Sequence, residues 1–327
     1  MASASTTAHA LQQGERPLLV TIVGPTAVGK TTWAIAIAEA LGCEIINADS
    51  RQIFRGMPIG TAQPTPAERT AIKHHFVDFV DVEDHFSAGQ FETAAVHWLS
   101  DWFQTHRTAV MVGGSGLYVK AVLEGLDAMP ADLAVRKELN ERLRKSGIKS
   151  LATQLEALDP VHARKMDLQN PQRVIRALEV CLCSGKPFSS FHKDSVVKRN
   201  FDVLTIGLEM DRAALVDRIN LRVDAMVEAG IQNEAKTLHP QAHLNALQTV
   251  GYREWFECFD GHCSPDEAVE SIKIHTRQFA KRQMTWFKKM ENIQWANALD
   301  TTTIESLVHQ AIVQRQWLMH HPFDSVD

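Results

Sequence analysis

Residues Leu18–Thr32, LLVTIVGPTAVGKTT, constrain this 327-residue chain more than any other stretch. A short run of Leu, Val, Thr and Ile leads into a glycine-bounded loop ending in Gly-Lys-Thr-Thr, the strand–GxxxxGK[ST]–helix signature of a phosphate-binding loop. Gly24 and Gly29 let the backbone turn with positive φ and present its N–H groups. The helix starting near Lys30 adds its N-terminal partial charge to the same anion cradle. Lys30 brings a positive charge to the phosphates, and Thr31 offers a hydroxyl to Mg2+. The loop specifies a polyphosphate without saying which one.

The rest of the first third alternates short apolar runs with helical patterns, so the expected fold class is α/β, with a P-loop-type parallel sheet core. Strands are expected at Leu18–Val23, Glu44–Ala48, Phe76–Val80 and Thr108–Val112, with helices at Lys30–Leu41 and Gln90–His106. Ligands of open α/β sheets bind beyond the carboxyl ends of the strands. The phosphate loop, Asp49 and the Gly113–Gly116 loop should therefore share one edge. From about Gly125 the pattern turns helical and charged, and a basic connector runs over Ser184–Asn200 before another strand at Val203–Leu208. This predicts a helical insertion domain over residues 126–200 within a core formed by 17–125 and 201–327, after a disordered tail over 1–16. Long helices should follow at Arg212–Glu228, Pro265–Lys289 and Ile304–His320.

Net charge is −5, so any nucleic-acid surface must be a local patch. No run approaches the roughly 18 apolar residues of a membrane span, and the first dozen residues lack the pattern of a signal peptide. A cytoplasmic location is expected. The cysteines, Cys43, Cys181, Cys183, Cys258 and Cys263, are odd in number, against a closed disulfide framework. Cys258, His262 and Cys263 lack the second ligand pair that a zinc site needs. His74 and His75, adjacent on a strand, would point to opposite faces and fit structural roles better than a metal.

Asp49 closes the second strand beside the loop helix and is the carboxylate placed best for acid–base or metal work; a turn cap is its bland alternative. No Asn-Lys-x-Asp motif is present, which disfavours a GTPase. In the insertion, Asn170 can cap a helix that has Pro171 in its first position. Arg173 and Arg176 then share one face, suited to phosphate contacts, possible for a nucleic-acid backbone and equally for a solvated helix face. Along Thr276–Met290 basic residues interleave with aromatics, Phe279, Gln283, Trp286 and Met290 forming one stripe. That pattern fits nucleic-acid contact or an amphipathic helix whose aromatics pack on the core.

Together these stretches resemble the tRNA dimethylallyltransferase (isopentenyltransferase) family along nearly the whole chain. The matching segments are Gly24–Thr31 (GPTAVGKT), Ala48–Gln52 (ADSRQ), Gly56–Pro64 (GMPIGTAQP), His74–Asp78, Val112–Tyr118 (VGGSGLY), Asn170–Glu179 (NPQRVIRALE), Val250–Arg253 (VGYR) and Thr276–Phe287. The resemblance implies transfer of a dimethylallyl group from dimethylallyl diphosphate to N6 of the adenosine next to the tRNA anticodon, with Mg2+ as cofactor. It implies tRNA held between the core and the insertion. No obligate protein partner is evident in the sequence. By the same resemblance, Gly24, Pro25, Thr26, Ala27, Val28, Gly29, Lys30 and Thr31 hold the diphosphate. Asp49, Ser50, Arg51 and Gln52, then Gln172, Arg173, Val174, Ile175 and Arg176, then Gly251, Tyr252 and Arg253, contact tRNA. Asp49, Ser115 and Lys30 serve the reaction. Ser115 stands where many members have Thr, and Phe86 where Tyr is common.

The residues suit that chemistry. Diphosphate leaves readily once Lys30, Mg2+ and backbone N–H groups absorb its charge, and Asp49 can accept the proton that an adenine amine sheds. The target base must leave its stack to reach such a site. Three alternatives share parts of the pattern. A small-molecule P-loop kinase would bind ATP and would not need the paired arginines. An isopentenyltransferase acting on free adenine nucleotides would lack the tRNA surface. A non-catalytic RNA-binding protein would have little use for Lys30 and Thr31.

Overall fold

Apolar runs of the kind that parallel sheets bury on both faces form the centre of the fold. The computed structural model describes residues 16–192 and 197–313. Six strands make one parallel sheet: β1 (Leu18–Val23), β2 (Ile45–Asn47), β3 (His74–His75), β4 (Thr108–Gly113), β5 (Asp202–Glu209) and β6 (Ile293–Asn297), in the order β3-β2-β4-β1-β5-β6. Alternate residues of β1 serve opposite layers. Leu18, Val20 and Ile22 pack with Trp33 and Ile37 of the loop helix and with Ile304 and Val308. Leu19 and Val23 pack with Phe91, Leu99 and Val119. Each such side chain contributes about 1.5–3 kcal/mol when fully buried, so the strand that launches the phosphate loop is anchored from both faces.

Register decides where the loops emerge. Val23 pairs with Gly113, and Asn47 with Val112. The carboxyl ends of β1, β2 and β4 are therefore level, and the segments after them meet at one edge. β1 sits between β4 and β5, so the chain departs in opposite directions around it, the arrangement that opens a crevice in doubly wound sheets.

Several elements differ from expectation. The strand expected at Phe76–Val80 is only His74–His75, because Phe76 and Asp78 adopt left-handed φ values of 61° and 56° and break the extended run. Val80 instead forms an isolated bridge with Phe54. The expected helix Gln90–His106 is Ala88–Trp102, started by a Ser87 capping box. β6 was not expected, since IQWAN is short and follows a basic helix end. The helices Lys30–Leu41 and Arg212–Glu228 have the expected bounds. The final helix is Thr301–Val313 among the described residues; residues 314–320 of the expected helix, and 1–15 of the expected tail, lie outside them. Arg16, placed in that tail, is described and donates to the Phe201 carbonyl at 2.9 Å.

Gly125–Val197 forms a separate compact unit. Its helices Leu133–Leu158 and Pro171–Ser184 bury Leu139, Leu151, Leu155, Val174, Ile175 and Leu178 in a core of their own. Asn170 caps the second helix through the Arg173 N–H at 3.2 Å, with Pro171 in the first turn.

Candidate active site

The phosphate loop is shaped by its two glycines. Gly24 has φ 148°, and a Cβ there would lie 2.6 Å from the Leu208 carbonyl oxygen of β5. Gly29 has φ 107° and directly precedes the helix. Lys30 folds back over the loop and donates from Nζ to the Pro25 carbonyl at 2.7 Å. Desolvation holds its pKa down at about 7, and the neighbouring Arg222 adds to that depression while Asp49 opposes it. An anion entering the cradle would reverse the balance and restore the ammonium charge.

At the end of β2, Asp49 turns the chain. Its Oδ1 accepts from the backbone N–H groups of Arg51 at 2.9 Å and Gln52 at 3.4 Å. Ser115, after β4, ties the two edges together: its Oγ accepts from the Ser50 N–H at 2.8 Å and donates to Ser50 Oγ at 3.0 Å. Lys30, Thr31, Asp49 and Gly114 all line one cavity of about 610 Å³. Its wall also carries Ile59, Met226, Val250, Ile272 and Phe279. The cavity thus combines an anion cradle, a carboxylate and an apolar surface large enough for a short hydrocarbon.

The expected site residues divide by what the fold does with them. Lys30, Thr31 and Asp49 meet in the cavity, with Ser115 beside it. Arg51 and Gln52 are already engaged. Arg51 donates to the carbonyls of Asn245 and Ala246, at 2.7 and 3.1 Å, and Gln52 to those of Thr61 and Ala62, at 3.0 and 2.8 Å. Tyr252 is fully buried and does not line the cavity, which corrects the expectation that it faces a ligand; Gly251 lines the cavity wall, and Arg253 is exposed. In the helical unit the same correction applies to Val174 and Ile175, which lie in its core. Arg176 is paired at 2.8 Å with Glu179, a fully buried carboxylate that Arg136 also contacts, and donates to the Pro130 carbonyl. Gln172 and Arg173 remain exposed.

Sequence reasoning missed three residues here. Arg218 and Arg222, one turn apart on the helix Arg212–Glu228, line the cavity, and Arg222 Nη1 lies 3.4 Å from Thr26 Oγ1. Burial and the adjacent Arg218 hold the Arg222 pKa below its usual value. The i, i+4 spacing was visible, but nothing local tied it to the loop. The sequence puts Gln283 on one stripe with Phe279 and Trp286 but gives it no partner; the structure seats it between Thr26 and Gly114.

Residues 52–290 match the family described as IPP transferase. The tRNA dimethylallyltransferase of Christiangramia forsetii is 50% identical over 278 residues, which cover 85% of this chain and 92% of that protein. That of Flavobacterium johnsoniae is 47% identical over 284 residues, with the same coverage of 85% and 92%. The crystal structure of the full-length tRNA isopentenylpyrophosphate transferase from Bacillus halodurans is similar at a TM-score of 0.66, with 36% identity over 92% of this chain and 97% of that one. A eukaryotic dimethylallyltransferase acting on tRNA is similar at a TM-score of 0.75, with 25% identity over 94% of this chain and 82% of that one.

Proposed function

The chain belongs to the IPP transferase family, and on that premise we propose how its site works as a tRNA dimethylallyltransferase. The protein is a prenyl-transferring enzyme with tRNA as its acceptor. The donor is dimethylallyl diphosphate and the acceptor atom is N6 of the adenosine beside the anticodon. The observation that carries this assignment is the single cavity shared by Lys30, Thr31, Asp49 and an apolar wall.

The diphosphate lies in the Gly24–Thr31 cradle, where Lys30, Arg218 and Arg222 offset its charge. The apolar wall takes the dimethylallyl group. As the allylic C1–O bond breaks, its electron pair leaves on the diphosphate, and charge-assisted contacts aimed at that oxygen lower the barrier. The N6 lone pair forms the new bond to C1, and the N6 proton passes to the Asp49 carboxylate. Ser115 holds the Ser50 segment, and with it the carboxylate turn, in place. The Thr31 hydroxyl is a hard oxygen donor beside Lys30 in that cavity and fits Mg2+. When bound there the ion would neutralise charge on the diphosphate. Arg173 and Arg253, both exposed, are cations open to RNA phosphates.

No helix among the described residues is long and apolar enough to cross a membrane. The decisive test is incubation with unmodified tRNA and labelled dimethylallyl diphosphate. Label in tRNA, sensitive to Lys30→Ala, supports the proposal. Consumption of ATP with a small acceptor and no label in tRNA would favour the kinase, and label on free adenine nucleotides alone would favour the nucleotide prenyltransferase.

A further inference from the structure

Gln283, on the helix Pro265–Phe287, is 6% exposed and holds two loops at once. Its Oε1 accepts from the Thr26 N–H at 2.8 Å, and its Nε2 donates to the Gly114 carbonyl at 2.9 Å. Thr26 belongs to the phosphate loop, and Gly114 directly precedes Ser115. A Cβ on Gly114 would lie 2.2 Å from Gln283 Nε2 and 3.6 Å from Asp49 Oδ2, so the amide occupies the space beside the carboxylate that a side chain at 114 would need.

We propose that Gln283 is a positioning residue that sets the spacing between the leaving-group loop and the Gly114–Ser115 turn that braces the Asp49 segment. The assignment rests on the prenyl-transfer function above. A carboxamide provides an acceptor and a donor on adjacent atoms, and Gln reaches both loops from one helix position. The two loops end different strands, β1 and β4; the first holds the leaving group, and the second, through Ser115 and Ser50, holds the turn that carries Asp49. Transfer requires C1 and N6 at about 3–3.5 Å in line, and a misplacement of about 1 Å costs on the order of 10²-fold in rate. A bridge between the loops therefore acts on the rate of the chemical step and leaves the binding of each substrate nearly untouched.

Two variants separate this role from simple packing. Gln283→Glu keeps the reach and still accepts from Thr26, but cannot donate to Gly114 and places a second carboxylate near Asp49. Gln283→Met keeps the length and removes both bonds. Both should lower kcat by about 10- to 100-fold, with KM for dimethylallyl diphosphate and for tRNA each within about threefold of wild type, measured per donor-binding site. Methionine should lose no more than a few degrees of melting temperature. A kcat within about threefold of wild type in both variants overturns the proposal. So does a parallel change in both KM values, or failure of both variants to fold, since either makes Gln283 a general structural residue. Wild-type protein that labels no tRNA would instead overturn the underlying function, before any variant is compared.

Discussion

Tyr252 donates its phenolic proton to Glu234 at 2.6 Å, and the same carboxylate accepts from the backbone N–H groups of Ile59 at 2.9 Å and Gly60 at 2.8 Å. The buried ring packs so closely on Gly60 that a Cβ there would lie 2.6 Å from it. One side chain thus joins two walls of the cavity, Pro58–Pro66 and Thr249–Gly251. This explains why a Tyr expected at an RNA surface lies inside. Burial and the Glu234 carboxylate together push its pKa well above the ordinary phenol value.

Glu234→Ala leaves a buried phenol and two backbone donors unsatisfied, each costing about 1–3 kcal/mol. Thermal melts should show a clear loss of stability, smaller for Glu234→Gln, which keeps an acceptor. Among folded molecules the KM for dimethylallyl diphosphate should rise, because Ile59 and Val250 belong to the wall that takes the dimethylallyl group. Unchanged stability in the alanine variant would contradict the bridging role.

Lys30 should make donor binding depend on pH. In the free protein its pKa is about 7, so at pH 8 it is mostly neutral. A bound polyanion favours the ammonium form and raises that pKa. Binding at pH 8 should therefore take up a proton, and affinity should fall as pH rises above about 7. Calorimetry in buffers of differing ionisation enthalpy measures the uptake directly. Lys30→Met should abolish it and weaken binding by an amount of the order of a charge-assisted hydrogen bond, about 1.5–3 kcal/mol.

Asp49→Asn separates capping from catalysis. Asn still accepts from the Arg51 and Gln52 N–H groups, and Asn and Asp cap about equally well. The fold and both substrate affinities should persist while the single-turnover rate falls by roughly 10²–10⁴. Recovery of the rate with excess Mg2+ would assign the carboxylate to the metal, and near-normal transfer at ordinary Mg2+ would leave it a cap.

The two arginines of the helical unit should behave differently. Arg176→Ala strips a charged partner from the buried Glu179, which keeps Arg136 and the Asp132 N–H. A loss of about 1.5–3 kcal/mol in the stability of that unit is expected, read by denaturant unfolding. Arg173→Ala should leave stability unchanged and reduce the slope of log affinity for tRNA against log salt by about 0.7–0.9. An unchanged slope would return Arg173 to a solvated face.

What the chain determines locally is the phosphate loop and its flanks. LLVTIV followed by Gly24 and Gly29 and by GKTT specifies strand, turn and helix through short-range sterics and backbone hydrogen bonding, so those bounds are legible without a fold. The same holds for the Asn170–Pro171 helix start and for Asp49 at the end of a strand. Tertiary structure decides which polar side chains are already taken. Arg51, Gln52, Arg176 and Tyr252 look like ligand contacts in sequence, yet their partners come from Asn245, Thr61, Glu179 and Glu234. Val174 and Ile175 are apolar by pattern, but which layer buries them depends on the Leu133–Leu158 helix. Arg222 and Gln283 reach the loop across 196 and 257 residues of chain. A hydrogen bond over that separation exists only after the sheet order and helix packing bring its two ends within 3–4 Å, and no local pattern encodes that distance.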